Sequence, residues 1–426
     1  MQNKKRVLLI SSANPIKGPG AIGLDVYNAF KEYGCEVDFL TLYKVDSIPD
    51  VKYIYKNPSK WRNLAFKLFK FSRRLLSKSM DMGHCFFYKK ETHPPVQTSK
   101  ILQKIKKPYD IVFVFFWQGM LSFQTIGRLY DKLKCQFVFY CADFSPMSGG
   151  CHFVKDCQQF KTGCGCCPAF GSLNPNDFTH WNVMYRKRIY AKVKPIVMAN
   201  TYMIESFMKK SYLLKDQKLQ YASILLDLDR FRPQDKEKLY AHFDIPKWKK
   251  YIISFGCQSL TDERKGMSYL LKALDILYQS INEEKRSQIL LLFIGNNGIQ
   301  IEHQLKFDYK NLGYLPISEL PNFYSVSTLF LCASVNDAGP SMLCQSIACG
   351  TPLVAFEMGA ALDILRGYNT GYCAKLRDSK DLAKGVLSIL DLDEEKYQKM
   401  RVNCRDMAAK KCSKEALVNK VLEFIK

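Results

Sequence analysis

Two stretches of this chain carry residues whose types and spacing can do chemistry. Ser334 to Ala361, SVNDAGPSMLCQSIACGTPLVAFEMGAA, sets two turn-rich loops, 334–340 and 357–362, on either side of one short helix. N–H groups at helix starts carry a partial positive charge that favours phosphate, so this stretch points to a phosphorylated ligand. The second stretch holds Cys151, Cys157, Cys164, Cys166 and Cys167. Cys164 and Cys167 have the C-x-x-C spacing by which two thiolates share one tetrahedral zinc, and Cys151 and Cys157 complete four sulfur ligands, with His152 as a substitute. The expectation is a structural zinc that pins a long loop. The same thiolates suit an iron–sulfur cluster, a disulfide fits a reducing compartment poorly, and a metal-free set of loop thiols is the plain alternative.

The elements that must position these groups follow from apolar runs and turn residues. Leu329 to Ala333 reads as a short strand, Pro340 as the first helical residue, and Gly350 as the stop before a strand over Leu353 to Phe356. Such a unit of a parallel sheet opens both loops at the carboxyl edge, where ligands gather. The same alternation begins with a strand over Arg6 to Ser11, a glycine-rich loop over Asn14 to Gly20 and a helix through Lys31. Backbone at Gly18 and Gly20 can approach phosphate, although the spacing matches neither the dinucleotide nor the P-loop fingerprint. Val37 to Leu42, Tyr109 to Phe116, Gln136 to Tyr140, Pro195 to Ala199 and Leu219 to Leu225 read as further strands. Tyr251 to Phe255 and Ile289 to Ile294 continue the series, and residues beyond about Glu394 read as helices.

Composition bounds the class. At 426 residues and 47% hydrophobic content the chain exceeds one core, so two domains are expected. No apolar run reaches membrane-spanning length, Val7 to Ile10 is too short for a signal-peptide core, and 16 dispersed cysteines suit reduced thiols in the cytoplasm. The formal charge of +23 asks for an anionic partner. Residues 52–79 hold nine Lys or Arg and no acid, with Trp61, Leu64, Leu68, Phe71 and Leu75 at helical spacing. That is a basic amphipathic segment, suited to an anionic membrane surface or to a solvated face packed on the sheet. No nucleic-acid-binding motif accompanies the charge.

Asp337, seven intervening residues, Gln345, then Gly350-Thr351-Pro352 and Leu353-Val354-Ala355 form a frame that resembles the retaining nucleotide-sugar glycosyltransferases of family 4. That family has a second acid where Gln345 stands. The resemblance implies that Asp337 touches the donor sugar and Gln345 the ribose, an amide being both donor and acceptor. Gly256-Cys257-Gln258 followed by Asp262-Glu263-Arg264-Lys265-Gly266 matches the family's Lys-Gly, which implies that Lys265 pairs with the donor diphosphate. Cys257 occupies the place of a common Arg, and the adjacent Arg264 can supply the second cation. Gly339 and the N–H groups near Gly359 and Ala360 would complete the clamp, with no catalytic metal. Cys141-Ala142-Asp143, Gly149-Gly150-Cys151-His152 and Cys164-Gly165-Cys166-Cys167-Pro168 resemble a subgroup of bacterial surface-polysaccharide glycosyltransferases in which a His-Asp pair opens the motif. Ala142 replaces that His and Asp143 remains, on the acceptor side.

The resemblance implies an α/β chain of GT-B fold, two Rossmann-like doubly wound parallel-sheet domains facing a cleft. Asp227 to Pro233 resembles the interdomain segment. The implied domains are 1–232, the acceptor side with the basic segment and a Cys-rich loop at 141–170, and 233–405, which binds the nucleotide sugar. Residues 406–426 would be a helix crossing back to the first domain. The implied activity is retaining transfer of a sugar from a nucleoside-diphosphate sugar to an acceptor hydroxyl. The acceptor would be a saccharide or lipid-linked saccharide in lipopolysaccharide, capsule or exopolysaccharide synthesis, on the inner face of the cell membrane. A scaffold of the same fold without turnover, binding a membrane or a complex, is the competing reading, and Ala142, Gln345 and Cys257 are the departures it rests on.

Overall fold

The computed structural model describes residues 4–16, 20–57 and 90–425. Gly18 and residues 58–79 of the basic segment, where helical spacing was expected, lie outside the described residues. The chain divides into two compact units, unit 1 with Met1–Asn200, Ile204–Ala222 and Val418–Lys426, and unit 2 with Thr201–Met203 and Ser223–Leu417.

Each unit is built on one parallel sheet. In unit 1 the strands are β1 (Arg6–Ser11), β2 (Glu36–Tyr43), β3 (Lys52–Tyr55), β4 (Ile111–Val114), β5 (Gln136–Cys141), β6 (Ile196–Ala199) and β7 (Lys218–Tyr221). Their order is β3-β2-β1-β4-β5-β6-β7. Unit 2 has β8 (Tyr251–Ser259), β9 (Ile289–Asn296), β10 (Tyr309–Asn311), β11 (Leu329–Cys332), β12 (Leu353–Phe356) and β13 (Gly371–Ala374), in the order β10-β9-β8-β11-β12-β13. β4, β6 and β12 are buried along their whole length, as continuous apolar runs covered on both faces must be. Among the described residues no helix is long and apolar enough to cross a membrane.

Several boundaries differ from the sequence reading for identifiable reasons. The run from Tyr109 to Phe116 shortens to β4 because the chain turns at Phe116, whose φ is 42°. The run from Leu219 to Leu225 leaves the sheet after Tyr221, and Leu226 N–H donates instead to Cys412 O at 2.9 Å. Pro340 is the N-cap of the helix Ser341–Ala348, one position before its first turn, with ψ at 116°. Residues 223–232 belong to unit 2 because Arg405 staples them there. Its guanidinium donates to Phe231 O at 2.6 Å, Leu228 O at 2.9 Å and Ala348 O at 2.8 Å. The last helical residues return to unit 1, where Lys420 Nζ donates to Tyr221 O and Lys5 Nζ reaches Ile425 O at 3.0 Å.

The core of unit 2 centres on Phe255 of β8 stacked on Phe293 of β9, with centroids 5.0 Å apart. In unit 1 the rings of Trp117, Phe123, Phe139 and Tyr190 form a contiguous cluster between β5 and the helix Phe178–Val193. An ion pair lies beside this cluster. Glu91 is 1% and Arg186 2% exposed. Arg186 Nε donates to Glu91 Oε1 at 2.7 Å, and Phe123 N–H donates to Glu91 Oε2 at 2.8 Å. Arg186 Nη1 also donates to Ser145 O and Ser148 O, both at 2.5 Å, so this cation fixes the loop that follows β5. Removing one member leaves the other charged, buried and unpaired. Arg186→Met is expected to destabilise unit 1 by about 3–5 kcal/mol. The double substitution with Glu91→Gln is expected to cost clearly less, by chemical denaturation followed on tryptophan fluorescence.

Candidate active site

β8 and β11 are neighbours where the strand order of unit 2 reverses, the point at which open parallel sheets bind ligands. Asp262 caps the turn Glu263–Lys265 after β8 by accepting the Arg264 N–H at 3.1 Å. Gly266 closes the turn with φ 66°, and a Cβ there would lie 1.9 Å from Ala333 O. Only glycine lets this turn lie against the end of β11. Across the contact Val335 and Asn336 N–H groups donate to Arg264 O at 2.8 and 3.3 Å.

The two stitched loops set Lys265 Nζ on the Asp337 carboxylate. Burial disfavours the ammonium, but the charge and hydrogen bond of Asp337 outweigh it and hold the Lys265 pKa above its usual value. Asp337 is 9% exposed. Burial disfavours its ionised form too, but Lys265, the Gly339 N–H at 3.1 Å and the Arg264 charge pull its pKa below the carboxylate range. Gly359 adjoins the pair. It starts the helix Ala360–Leu365 at φ 53°, and a Cβ on it would lie 3.0 Å from Asp337 O. Lys265, Asp337, Gly339, Gly359 and Ala360 are thus gathered by three adjoining loops, beyond the ends of β8, β11 and β12.

Other expected site residues are placed differently. Arg264 is tied to Asp262, Nε to Oδ1 at 3.2 Å and Nη2 to Oδ2 at 2.5 Å, so its guanidinium closes on its own turn. Gln345 is buried, and its Oε1 accepts the Tyr324 hydroxyl at 3.0 Å, a partner for which the sequence held no signal. Gly256 leaves room for β9, where a Cβ would meet Ile294 Cγ1 at 2.5 Å. Gly20 belongs to unit 1, where a Cβ would meet Asn14 O at 2.1 Å. Cys257 Sγ donates to Ser259 O at 3.0 Å, and burial pushes its thiol up to about 11 although Lys265 pulls the other way.

In unit 1, Asp143 lies just past β5 and is 3% exposed. Its Oδ1 accepts the Ser145 N–H at 2.7 Å, Gln118 Nε2 reaches Oδ2 at 3.1 Å, and His152 Nδ1 stands 2.9 Å from Oδ2. His152, which the sequence offered as a substitute metal ligand, has this nitrogen beside Asp143. Gln118 was not singled out from sequence, since nothing in its surroundings marks it.

Cys151, Cys157, Cys164 and Cys167 are near enough that every pair interacts electrostatically. Burial, more than this mutual effect, pushes the Cys164 thiol up to about 12 and that of Cys167 to about 11. All four are free thiols, and among the described residues no three His, Cys, Asp or Glu side chains form a group able to hold a metal ion. Hydrogen bonds also tie this loop. Asp177 accepts the Cys167 N–H at 2.9 Å, the Gly149 N–H meets Cys164 Sγ at 3.3 Å, and the His180 ring meets Gly163 O at 3.2 Å.

Residues 235–407 match the family model described as Glycosyl transferases group 1. A curated relative, the D-inositol 3-phosphate glycosyltransferase of Nocardioides sp. (strain ATCC BAA-499 / JS614), is 25% identical over 192 residues, 39% of this chain. The aligned part spans only 40% of that protein's length. Among solved structures, sucrose-phosphate synthase from Thermosynechococcus elongatus aligns over 99% of this chain and 98% of its own, with TM-score 0.65 and 15% identity. Anabaena HepE, solved with UDP and glucose, aligns over 99% of both chains with TM-score 0.64 and 13% identity. WaaG, a glycosyltransferase involved in lipopolysaccharide biosynthesis, aligns over 99% of both chains with TM-score 0.60 and 13% identity. The chain has the GT-B fold, and the match to the Glycosyl transferases group 1 model lies within its second unit.

Proposed function

We propose that this chain is a retaining glycosyltransferase that moves a sugar from a nucleoside-diphosphate sugar to an acceptor hydroxyl. The observation that carries the proposal is Lys265 held on Asp337 where the turn closed by Gly266 meets the loop after β11, beyond the carboxyl ends of β8 and β11. The group 1 match over 235–407 and the UDP-bound HepE neighbour favour the same ligand class. The anomeric C–O bond to the diphosphate breaks, the bond to the acceptor oxygen forms on the same face, and the leaving phosphate takes the acceptor proton. Lys265 neutralises the leaving diphosphate, helped by backbone N–H groups at Gly359 and Ala360. Asp337, relieved of Lys265 by the diphosphate, then faces the sugar hydroxyls. With Gln345 Oε1 already held by Tyr324, its Nε2 is the group that meets the ribose, as a donor. A lipid-linked saccharide in surface-polysaccharide synthesis is the proposed acceptor, and the basic segment 52–79 suits its membrane. A GT-B scaffold without turnover would keep the nucleotide and lack transfer, a reading that the engaged Gln345 favours.

A thermal-shift panel of UDP, GDP, ADP and CMP tests the clamp. One nucleotide at about a hundred times its dissociation constant is expected to stabilise the wild type by about 2.7 kcal/mol. Lys265→Ala is expected to abolish that shift and to lower intrinsic stability by about 1–3 kcal/mol, since it leaves Asp337 without its counter-ion. Adding Asp337→Asn should restore stability but not nucleotide binding; a shift that survives in Lys265→Ala would overturn the clamp. The pH dependence follows from the signs. Asp337 titrates lower folded than unfolded, so its contribution is present above about pH 4 and lost as pH falls through its folded value. Lys265 titrates higher folded, so its contribution is lost only as pH rises above about 10.4. The stability gap between wild type and Asp337→Asn is therefore expected to be flat through neutral pH and to close in acid, as urea midpoints will read.

A further inference from the structure

The helix Ser341–Ala348 is fastened to the helix Glu394–Cys412 by two arginines of the latter. Arg401 Nε donates to Gly350 O at 3.1 Å, and Arg405 Nη1 donates to Ala348 O at 2.8 Å. Later positions on one helix thus meet earlier positions on the other, and this antiparallel register brings Cys412 to Cys344. Their thiols hydrogen bond to each other and share the Ser223 hydroxyl, which stands 3.6 Å from Cys412 Sγ. The backbone is held as well, since Cys412 O accepts the Leu226 N–H at 2.9 Å. Both cysteines are 1% exposed, and the transferase chemistry uses neither sulfur.

Two thiols in contact differ from thiols that fill a core. The hydrogen bond from Cys344 favours the Cys412 thiolate, outweighs burial, and with Ser223 and the Lys411 charge holds the Cys412 pKa below the usual thiol value. The same contact pushes the Cys344 thiol up. Burial alone drives Cys141, Cys349 and Cys404 the opposite way from Cys412. A thiolate beside a protonated thiol is the arrangement that oxidises in two steps to a disulfide. We propose that Cys344 and Cys412 are a peroxide-responsive pair, Cys412 the attacking sulfur and Cys344 the resolving one, whose disulfide locks the two helices together. The Cys412 thiolate attacks one peroxide oxygen, the O–O bond breaks, and Cys412 sulfenic acid and hydroxide form. The Cys344 sulfur then attacks the Cys412 sulfur, the S–OH bond breaks, and the thiol proton leaves with that hydroxide as water. Two electrons pass from the sulfurs to the peroxide. Because both sulfurs are buried, the oxidant has to be small and enters when the last turn of the helix Glu394–Cys412 opens. In a reducing compartment the pair stays as thiols until peroxide rises. The assignment stands whether or not the chain turns over a nucleotide sugar.

The full chain, treated with graded hydrogen peroxide, blocked with N-ethylmaleimide in denaturant and digested without reduction, is mapped by mass spectrometry. The Cys344–Cys412 link is expected to accumulate before any other, to vanish with dithiothreitol, and to raise the thermal midpoint by about 5–10 °C. Cys344→Ser is expected to leave Cys412 as sulfinic acid, whereas Cys412→Ser leaves Cys344 a thiol. The wild-type map decides the matter if a variant fails to fold. A first link that joins other cysteines, both thiols still blocked by maleimide once other cysteines are oxidised, a link that leaves the midpoint unmoved, or the reverse pattern in the variants overturns the proposal.

Discussion

A close backbone approach governs the second unit. Gly266 packs against Ala333 O with no space for a side chain, and this contact registers the turn 262–266 on the loop that follows β11. The rest is a consequence. With the turn in place, Val335 and Asn336 bond to the Arg264 carbonyl, and Lys265 pairs with Asp337. The partly buried carboxylate in turn requires that cation, because a desolvated charge without a partner is costly. Sheet topology places the pair, since the loops emerge at the β8/β11 reversal.

The first unit solves an equivalent problem with a side chain. The loop after β5 is long and short of regular structure, and its carbonyls at Ser145 and Ser148 would otherwise be unsatisfied in the interior. Arg186, on the helix Phe178–Val193, reaches both and is neutralised by Glu91, which also caps the chain at Phe123. Asp143 adds a second tie at the start of the loop, accepting the Ser145 N–H and standing against His152 and Gln118.

Much of the fold was legible because its signal is local. β1, β5 and β12 are apolar runs bounded by turn residues, and Gly350, with φ 72°, ends its helix where expected. The strand expected over Leu219 to Leu225 was drawn too long because burial continues where the ladder stops. Ala222, Ile224 and Leu225 are as buried as a strand, yet Leu226 turns to Cys412. Among the candidate site residues, Lys265, Asp337 and Asp143 were picked out by motif frames, but the side chains they contact were not. The contacts Lys265–Asp337, Asp143–His152 and Gln345–Tyr324 join residues far apart along the chain or separated by an irregular loop, and composition carries no record of such pairings. The tie of Arg264 to Asp262 is likewise a side-chain contact that residue types alone do not record.

The internal counter-ion of Lys265 changes the character of any anion binding there. An incoming phosphate cannot simply add to a bare ammonium; it has to displace a carboxylate that stands ready to return. Binding by exchange is weaker than binding by addition, and departure is correspondingly easier, because the cation is never left alone in a half-buried site. A site built this way trades tight retention for rapid clearance, so its occupancy follows the surrounding anion concentration and is little slowed by what it has just released.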